Sequence, residues 1–467
     1  MAFSARACAF GVLLGLTVAL VPMSVASAAE EPVAPAPVPT TPILSARRLP
    51  TVLLGPSADT RFATSLDTWA KGVTGSECAI VTLDGRTVWS RNESTVLAPA
   101  SVMKLATAMA ALDVLGPDRT FTTNLVASKA PKDGVVDGDL WVVGGGDPLF
   151  ITAGYRPSLD DPDQLGVDLQ VVVDALRSAG VRKVNGAIIG DDSLLSNERW
   201  IPSWPQRYQL GGTVGPLSAL SVNDGQTGYA DTPGQPTTKR SAGDPTLLAA
   251  QTLRTLLSSG GVEVGGGAST GTAPEGAKVL ASVDSLPVQR IVGEMILDSD
   301  NTTAEVLVRQ IGLEASGKGT TVAGIAAIGE SLRRQGFSTD GLVMVDGSGL
   351  DLSDRMPCSL ALALVQRYAS DGDRASTLPT AGRTGTLRKR MTASAATGRV
   401  RAKTGTLNTA NALAGFADTI SGAGLRFVMI HNGSDARGSG VADQFADRLV
   451  TWGEGAQLAA LSPGPVR

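Results

Sequence analysis

The sequence predicts an α/β fold of the α+β kind: an antiparallel sheet flanked by helices and closed by the two ends of the body together. Three observations predict it. A strand pair is expected early, at residues 78–83 and 87–90, and three strand-like runs late, at 399–403, 412–419 and 425–432. Between them lie helical runs, one of them apolar on nearly every face, which marks a buried helix. A sheet drawn from both ends around buried helices lets all these runs cover their apolar sides. The third observation is a change of texture at 119–283, which reads as material inserted into that frame and forming additional domains. With 467 residues, 43% of them hydrophobic, the chain can fill such a core and exceeds one ordinary domain.

The elements follow in order. Arg6 precedes an apolar run over 9–21, and Ala26-Ser27-Ala28-Ala29 supplies small residues for cleavage. Residues 1–29 therefore read as a secretory signal peptide cut near Ala28 or Ala29, the alternative being an uncleaved anchor. The run is short of the roughly 20 residues a span needs, and Pro22 ends it, which favours cleavage. Cys8 lies too early for a lipid-attachment motif. No other stretch is long and apolar enough for a span, so an exported protein of the cell envelope or exterior is expected. Residues 30–50, with Pro-Ala-Pro-Val-Pro at 35–39, read as an extended spacer.

Residues 51–118 open the body as its first part. Asp84-Gly85 between the early strands is a hairpin-turn pair. Pro99 precedes a helix expected from Ser101 to about Leu115. The insertion alternates like a strand over 121–148, ending in Gly144-Gly145-Gly146-Asp147-Pro148. It then shows a helix at 167–179, a strand at 184–190 and a helix at 245–257 within Gly-, Pro- and Thr-rich text. Residues 284–467 resume the frame, with helices at 288–298, 302–313, 324–335, 359–370 and 440–453. Asp346-Gly347-Ser348-Gly349 reads as a tight loop. Cys78 and Cys358 remain in an exported chain, either bridged or as two buried thiols; their separation does not decide.

A net charge of −4 leaves no basic footprint, so nucleic acid is not an expected partner. The chemistry lies in three short motifs. Ser101-Val102-Met103-Lys104 is the sharpest, because every other serine lacks a lysine three positions on. Ser299-Asp300-Asn301 is one of three Ser-x-Asn sequences. Ser90 to Asn92 and Ser221 to Asn223 fit turns or caps better. Lys403-Thr404-Gly405 occurs once. In this order the three are the parts of an active-site serine hydrolase acting on a peptide or β-lactam carbonyl. The single histidine, His431, ends an apolar strand and nearly excludes a Ser-His-Asp triad, so the base must be lysine or carboxylate.

Ser101 at a helix N-terminus suits developing negative charge, and Lys104 one turn on shares its face. Lys104 is expected in wholly apolar surroundings, which would lower its pKa and make it a base. Ser299 is expected to relay a proton between Lys104 and the leaving group, and Asn301 to hold substrate or Lys104. Lys403, Thr404 and Thr406 would bind a substrate carboxylate, with Gly405 letting the substrate backbone approach. The N–H groups of Ser101 and Thr406 would form the oxyanion hole. Arg383-Thr384-Gly385-Thr386 has similar grammar and is assigned to structure. No metal or cofactor is called for.

Ala98 to Lys104, Asp298 to Asn301, Asp346 to Leu350 and Ala402 to Leu407, together with Gly146-Asp147-Pro148 and Gly186 to Asp192, resemble one known family. It is the D-alanyl-D-alanine carboxypeptidase/endopeptidase family, the low-molecular-mass class C penicillin-binding proteins, here in an actinobacterial-type form. The resemblance spans roughly 50–452 and implies a β-lactamase/transpeptidase-like domain carrying a long insertion. It further implies acylation of Ser101 by peptidoglycan stem peptides, with loss of the terminal D-alanine, and by β-lactam antibiotics. Some members also cut D-alanyl cross-links. In relatives with a pocket for the diaminopimelate side chain, the matching positions are Asp147, Leu407 and Asn408. The arginine of that pocket is replaced here by Leu352, with Arg355 three residues later. The rival readings are a β-lactamase, for which the insertion is too long, and a catalytically silent wall-binding or sensor module.

Overall fold

A computed structural model describes residues 50–453, apart from 160, 162–163, 230–238 and 437. The signal peptide and nearly all of the proline-rich spacer lie outside the described residues. Among those residues, no helix is long and apolar enough to cross a membrane.

The central sheet takes its strands from both ends of the body. In spatial order they are Val400–Leu407, Ala410–Asp418, Gly424–Asn432, Ser76–Leu83 and Arg86–Arg91, all antiparallel. Ser76 pairs with Asn432 and Leu83 with Leu425, so the first strand lies against the last. Asp84 and Gly85 both have positive φ, 48° and 80°, the backbone of a tight two-residue hairpin.

Each face of this sheet is covered. Ala412, Ala414, Val428 and Ile430 pack on Val102, Leu105, Ala106 and the helices Val288–Asp298, Asn301–Ser316 and Cys358–Tyr368. On the other face, Trp69 meets Phe445 at 4.8 Å between ring centroids, with Phe62, Leu66, Trp89 and Phe427 around them. Trp69 belongs to a helix, Pro50–Lys71, that the sequence reading omits. Its signal was present, since Phe62, Leu66, Trp69 and Ala70 recur at helical spacing.

The nucleophile helix differs from expectation at its start. Residues Ala100–Met103 form a tighter 3-10 turn, and α-helix runs from Lys104 to Val114. Cys78 and Cys358 form a disulfide with Cα atoms 6.0 Å apart, which resolves the two alternatives. The bridge ties the first strand to the start of helix Cys358–Tyr368.

Residues 122–284 build a second five-stranded sheet, in the order Ala268–Thr270, Ile188–Asp191, Leu140–Val143, Thr122–Ala127 and Lys278–Asp284. Helices Gln170–Ser178 and Pro245–Ser259 cover it through Val172, Val173, Leu176, Ala250, Leu253 and Leu257. The strands expected at 121–148 and 184–190 are each broken into shorter pieces, because parts of both runs pair instead in a small separate sheet.

Candidate active site

Ser101 sits in the 3-10 turn after Ala100, whose φ of 47° is rare for a residue with a side chain. Lys104 begins the helix, fully buried, and its Nζ donates to Ser101 Oγ at 3.0 Å, Asn301 Oδ1 at 2.6 Å and the Ser348 carbonyl at 2.7 Å. The expected apolar surroundings are therefore corrected: Lys104 lies in a polar cage inside an apolar helix bundle. Burial lowers its pKa to about 8, against the opposing pull of Asp346, Glu305, Asp300 and Asp354.

Asp300 caps helix Asn301–Ser316 by accepting from Thr303 N at 3.1 Å, which fixes Asn301 in the first turn. The Asn301 amide also donates to the Thr213 carbonyl at 2.7 Å, joining Lys104 to the inserted region. Ser299, at φ 61°, points elsewhere. Its Oγ accepts from Lys403 Nζ at 2.8 Å, so its partner in this structure is Lys403 and not Lys104 as the relay reading had it.

Lys403 is fully buried on strand Val400–Leu407, and its Nζ also donates to the Thr404 carbonyl at 2.8 Å. Burial, helped by the charge of Lys104, holds it well below the usual lysine range. Gly405 has a reason other than substrate approach. A Cβ there would lie 2.7 Å from the Pro99 carbonyl oxygen, so the glycine lets the strand pack on the turn that carries Ser101. Thr404 Oγ1 meets Thr386 Oγ1 at 2.8 Å. The Arg-Thr-Gly-Thr sequence assigned to structure thus brings one hydroxyl to the site, as its repeated grammar could have signalled.

The sequence reading also missed what holds the Ser348 carbonyl on Lys104. Glu305, one turn after Asn301 and fully buried, accepts from the backbone N–H of Gly347 at 3.0 Å and Ser348 at 2.7 Å. Asp346 Oδ1 accepts from Gly349 N at 2.6 Å, and its Oδ2 from Asp351 N and Trp204 Nε1, each at 2.8 Å. Burial together with Asp346 pushes both Glu305 and Asp354 upward from the usual carboxylate range. The i, i+4 spacing of Asn301 and Glu305 was the available signal.

A groove of about 620 Å³ runs past Ser101, lined also by Tyr208, Leu350, Thr406, Leu407 and Asn408. Asp147 does not line it. That carboxylate is buried, with Oδ1 accepting from Leu149 N at 2.9 Å and Oδ2 unpartnered among the described residues, and burial raises its pKa to about 7. Its expected place in a side-chain pocket is corrected accordingly. Arg355 spends its guanidinium on the carbonyls of Leu352 and Asp354 and does not replace the missing arginine. His431 is a buried strand residue, with Nε2 2.6 Å from the Thr74 carbonyl oxygen.

The sequence profile of the D-Ala-D-Ala carboxypeptidase 3 (S13) family matches residues 66–239 and 233–453. The chain belongs to that family. It is 30% identical to a D-alanyl-D-alanine carboxypeptidase of Actinomadura sp. (strain R39) over 474 residues, 85% of each chain. It is also 30% identical to a carboxypeptidase of Mycobacterium tuberculosis over 443 residues, 89% of each. In fold it matches penicillin-binding protein 4 of Haemophilus influenzae, with a TM-score of 0.67 at 22% identity. That match covers 82% of this chain and 98% of the other. The two proteins thus share one mixed α/β fold.

Proposed function

We propose that this protein is a serine D-Ala-D-Ala carboxypeptidase that removes the terminal D-alanine from peptidoglycan stem peptides through an ester on Ser101. The observation that carries the reading is the set of acceptors around Lys104 Nζ. A neutral amine has two N–H groups and one lone pair. Asn301 Oδ1 and the Ser348 carbonyl take both N–H groups, which leaves the lone pair for Ser101 Oγ at 3.0 Å. With its pKa lowered to about 8, Lys104 is deprotonated in an appreciable fraction near neutral pH.

Ser101 Oγ attacks the carbonyl of the penultimate D-alanine while Lys104 takes its proton. The N–H groups of Ser101 and Thr406 receive the oxyanion. The C–N bond breaks, and the departing amine takes the proton that Lys104 removed from Ser101. Lys403, with Thr404, Thr406 and Thr386, receives the carboxylate of the leaving D-alanine. A buried lysine held low in pKa regains its proton when an anion arrives beside it. Water then cleaves the ester with Lys104 again as base. Leu407 and Asn408 line the groove that holds the stem. Penicillin is a substrate mimic at the same serine, in keeping with the β-lactam complex solved for the Haemophilus influenzae protein. Peptidoglycan as substrate places the enzyme in the cell envelope, which agrees with the signal-like N-terminus.

Release of D-alanine from a stem pentapeptide by the purified protein, with covalent labelling by a fluorescent penicillin, tests the proposal. Neither release nor labelling from well-folded protein would refute it.

A further inference from the structure

The turn that carries Ser101 is held from more sides than the three motifs supply. Strand Val96–Leu97 pairs with Met356–Pro357, and that short ladder ends at Leu97. The chain then runs through Ala98, Pro99 and Ala100 into the 3-10 turn. Gly405 packs on the Pro99 carbonyl from the central sheet, and Gly349 packs on the Ala100 carbonyl from the 346–349 loop. A Cβ on either glycine would collide with those oxygens. Neither contact reaches the backbone of Ala98.

Ala98 is buried, so its N–H and C=O must find partners inside the protein. Both find them in one side chain. Asn432 Oδ1 accepts from Ala98 N at 2.8 Å, and Asn432 Nδ2 donates to the Ala98 carbonyl at 3.0 Å. A primary amide carries the donor and acceptor of a peptide group, so Asn432 continues the ladder where backbone pairing stops. Its own backbone is fixed, because it ends strand Gly424–Asn432 and pairs with Ser76 on one side and Ala410 on the other. The amide therefore ties the turn to the middle strand of the central sheet. The turn needs such a tie. Ala100 is held at φ 47°, a conformation that persists only where the surroundings over-determine it. Ser101 Oγ follows it directly and lies 3.0 Å from Lys104 Nζ, the reach that proton transfer requires.

We propose that Asn432 is a positioning residue for acylation: its amide grips Ala98 at both backbone groups, so that the strained turn keeps Ser101 aimed at Lys104. Asn432 does not line the groove and acts only through the turn. The inference rests on the reading of Ser101 as nucleophile and deepens it. Loss of the grip lets Ala100 relax toward ordinary backbone and carries Ser101 Oγ off its line to the amine. A displacement of about 1 Å at such a contact costs on the order of 10²-fold in rate. Binding of substrate should be spared, because Tyr208, Leu350 and Lys403 are held by other contacts.

Two variants of the whole protein test it. Asn432→Asp keeps the acceptor for Ala98 N–H and removes the donor for its carbonyl, while Asn432→Ala removes both. Stopped-flow acylation by a fluorescent penicillin reads two quantities, the rate constant and the fraction of molecules that label. Both variants are expected to lower the rate constant about ten- to a hundredfold. KM for a stem pentapeptide should stay within about twofold while kcat falls with acylation. The rise of acylation with pH through about 8 should keep its midpoint in Asn432→Ala, since Asn301 and Ser348 still hold Lys104. A residue of merely structural importance would instead lower the labelled fraction and Tm, with each labelled molecule reacting at the parent rate. That result would overturn the assignment, as would a rise in KM with kcat intact. A loss confined to Asn432→Asp would mark an effect of the introduced charge and overturn it too. So would a complete failure of both variants to label, because the amide would then serve folding. Parent protein that neither labels nor hydrolyses pentapeptide would strike the reading of Ser101 on which this one rests.

Discussion

Two fully buried lysines face each other across the site, and their surroundings differ in kind. On the helical side, Lys104 has three direct acceptors and a group of buried carboxylates behind them. On the sheet side, Lys403 touches one hydroxyl and the carbonyl of its neighbour, with Asp298 as its opposing charge. Burial lowers both pKa values. In Lys104 the carboxylates offset the fall and leave a base near the working pH. In Lys403 Asp298 alone opposes the fall, and a further counter-charge is one that substrate can bring. One residue type thus supplies a base and an anion site, and the difference lies in which neighbours are charged.

The strongest way to break this comparison is to remove what both lysines serve. Ser101→Ala should abolish penicillin labelling and D-alanine release while far-UV CD and Tm stay near those of the parent. Labelling that persisted would move the nucleophile elsewhere. Next in size is Lys104→Arg, which keeps the charge and forbids its loss. Acylation should fall about 10²- to 10⁴-fold. In the parent, the acylation rate should rise with pH through about 8, because only the deprotonated amine accepts the Ser101 proton. The arginine variant should lose that limb, and stopped-flow acylation across pH reads both.

Lys403→Ala should cost about 1.5–3 kcal/mol in kcat/KM with a substrate ending in a free carboxylate. With a carboxyl-amidated peptide the loss should be much smaller, and the pH limb should survive. An equal loss on both peptides, or a vanished limb, would erase the division of labour. Glu305 sharpens the helical side. Glu305→Ala should lower kcat roughly tenfold with little change in KM, by freeing the Ser348 carbonyl from Lys104. Glu305→Gln should restore most of the rate, since its amide oxygen can still accept from Gly347 and Ser348. The smallest effect on rate belongs to Cys78→Ser with Cys358→Ser. Stability should drop by about 2–5 kcal/mol in denaturant titration, yet activity at 25 °C should stay near that of the parent.

The frame was legible in the sequence wherever a residue's neighbours are local or its pattern is periodic. The hairpin at Asp84-Gly85, helix Val288–Asp298 and the three late strands fall close to where the alternation places them. The three motifs converge as their order suggests. Long-range polar contacts were not legible. No periodicity says that Ser348 presents its carbonyl to Lys104, or that Glu305 holds it there, because Ser348 lies 244 residues from Lys104 and 43 from Glu305. For the same reason the apolar helix around Lys104 misled, since its sequence hides the cage supplied by Asn301 and the 346–349 loop. Nor does the motif say that Ser299 Oγ meets Lys403 rather than Lys104. Asp147 was lost because a shared Gly-Asp-Pro sequence does not fix where a buried carboxylate points.

The order of strands in the central sheet also sets when catalysis can begin. Ser76–Leu83 finds its long partner only in Gly424–Asn432, and the strand bearing Lys403 is joined to it through two further pairings. A ribosome or a translocation channel delivers the nucleophile, Ser101, well before the anion site at Lys403. Such a fold, rich in distant pairings, assembles slowly and late. Until Gly424–Asn432 arrives, the edge of Ser76–Leu83 is open and Ser101 has no opposing wall. The peptidase is in this sense its own timer: a nascent chain passes the synthetic machinery as an inert polypeptide and becomes a hydrolase only when its final strands close.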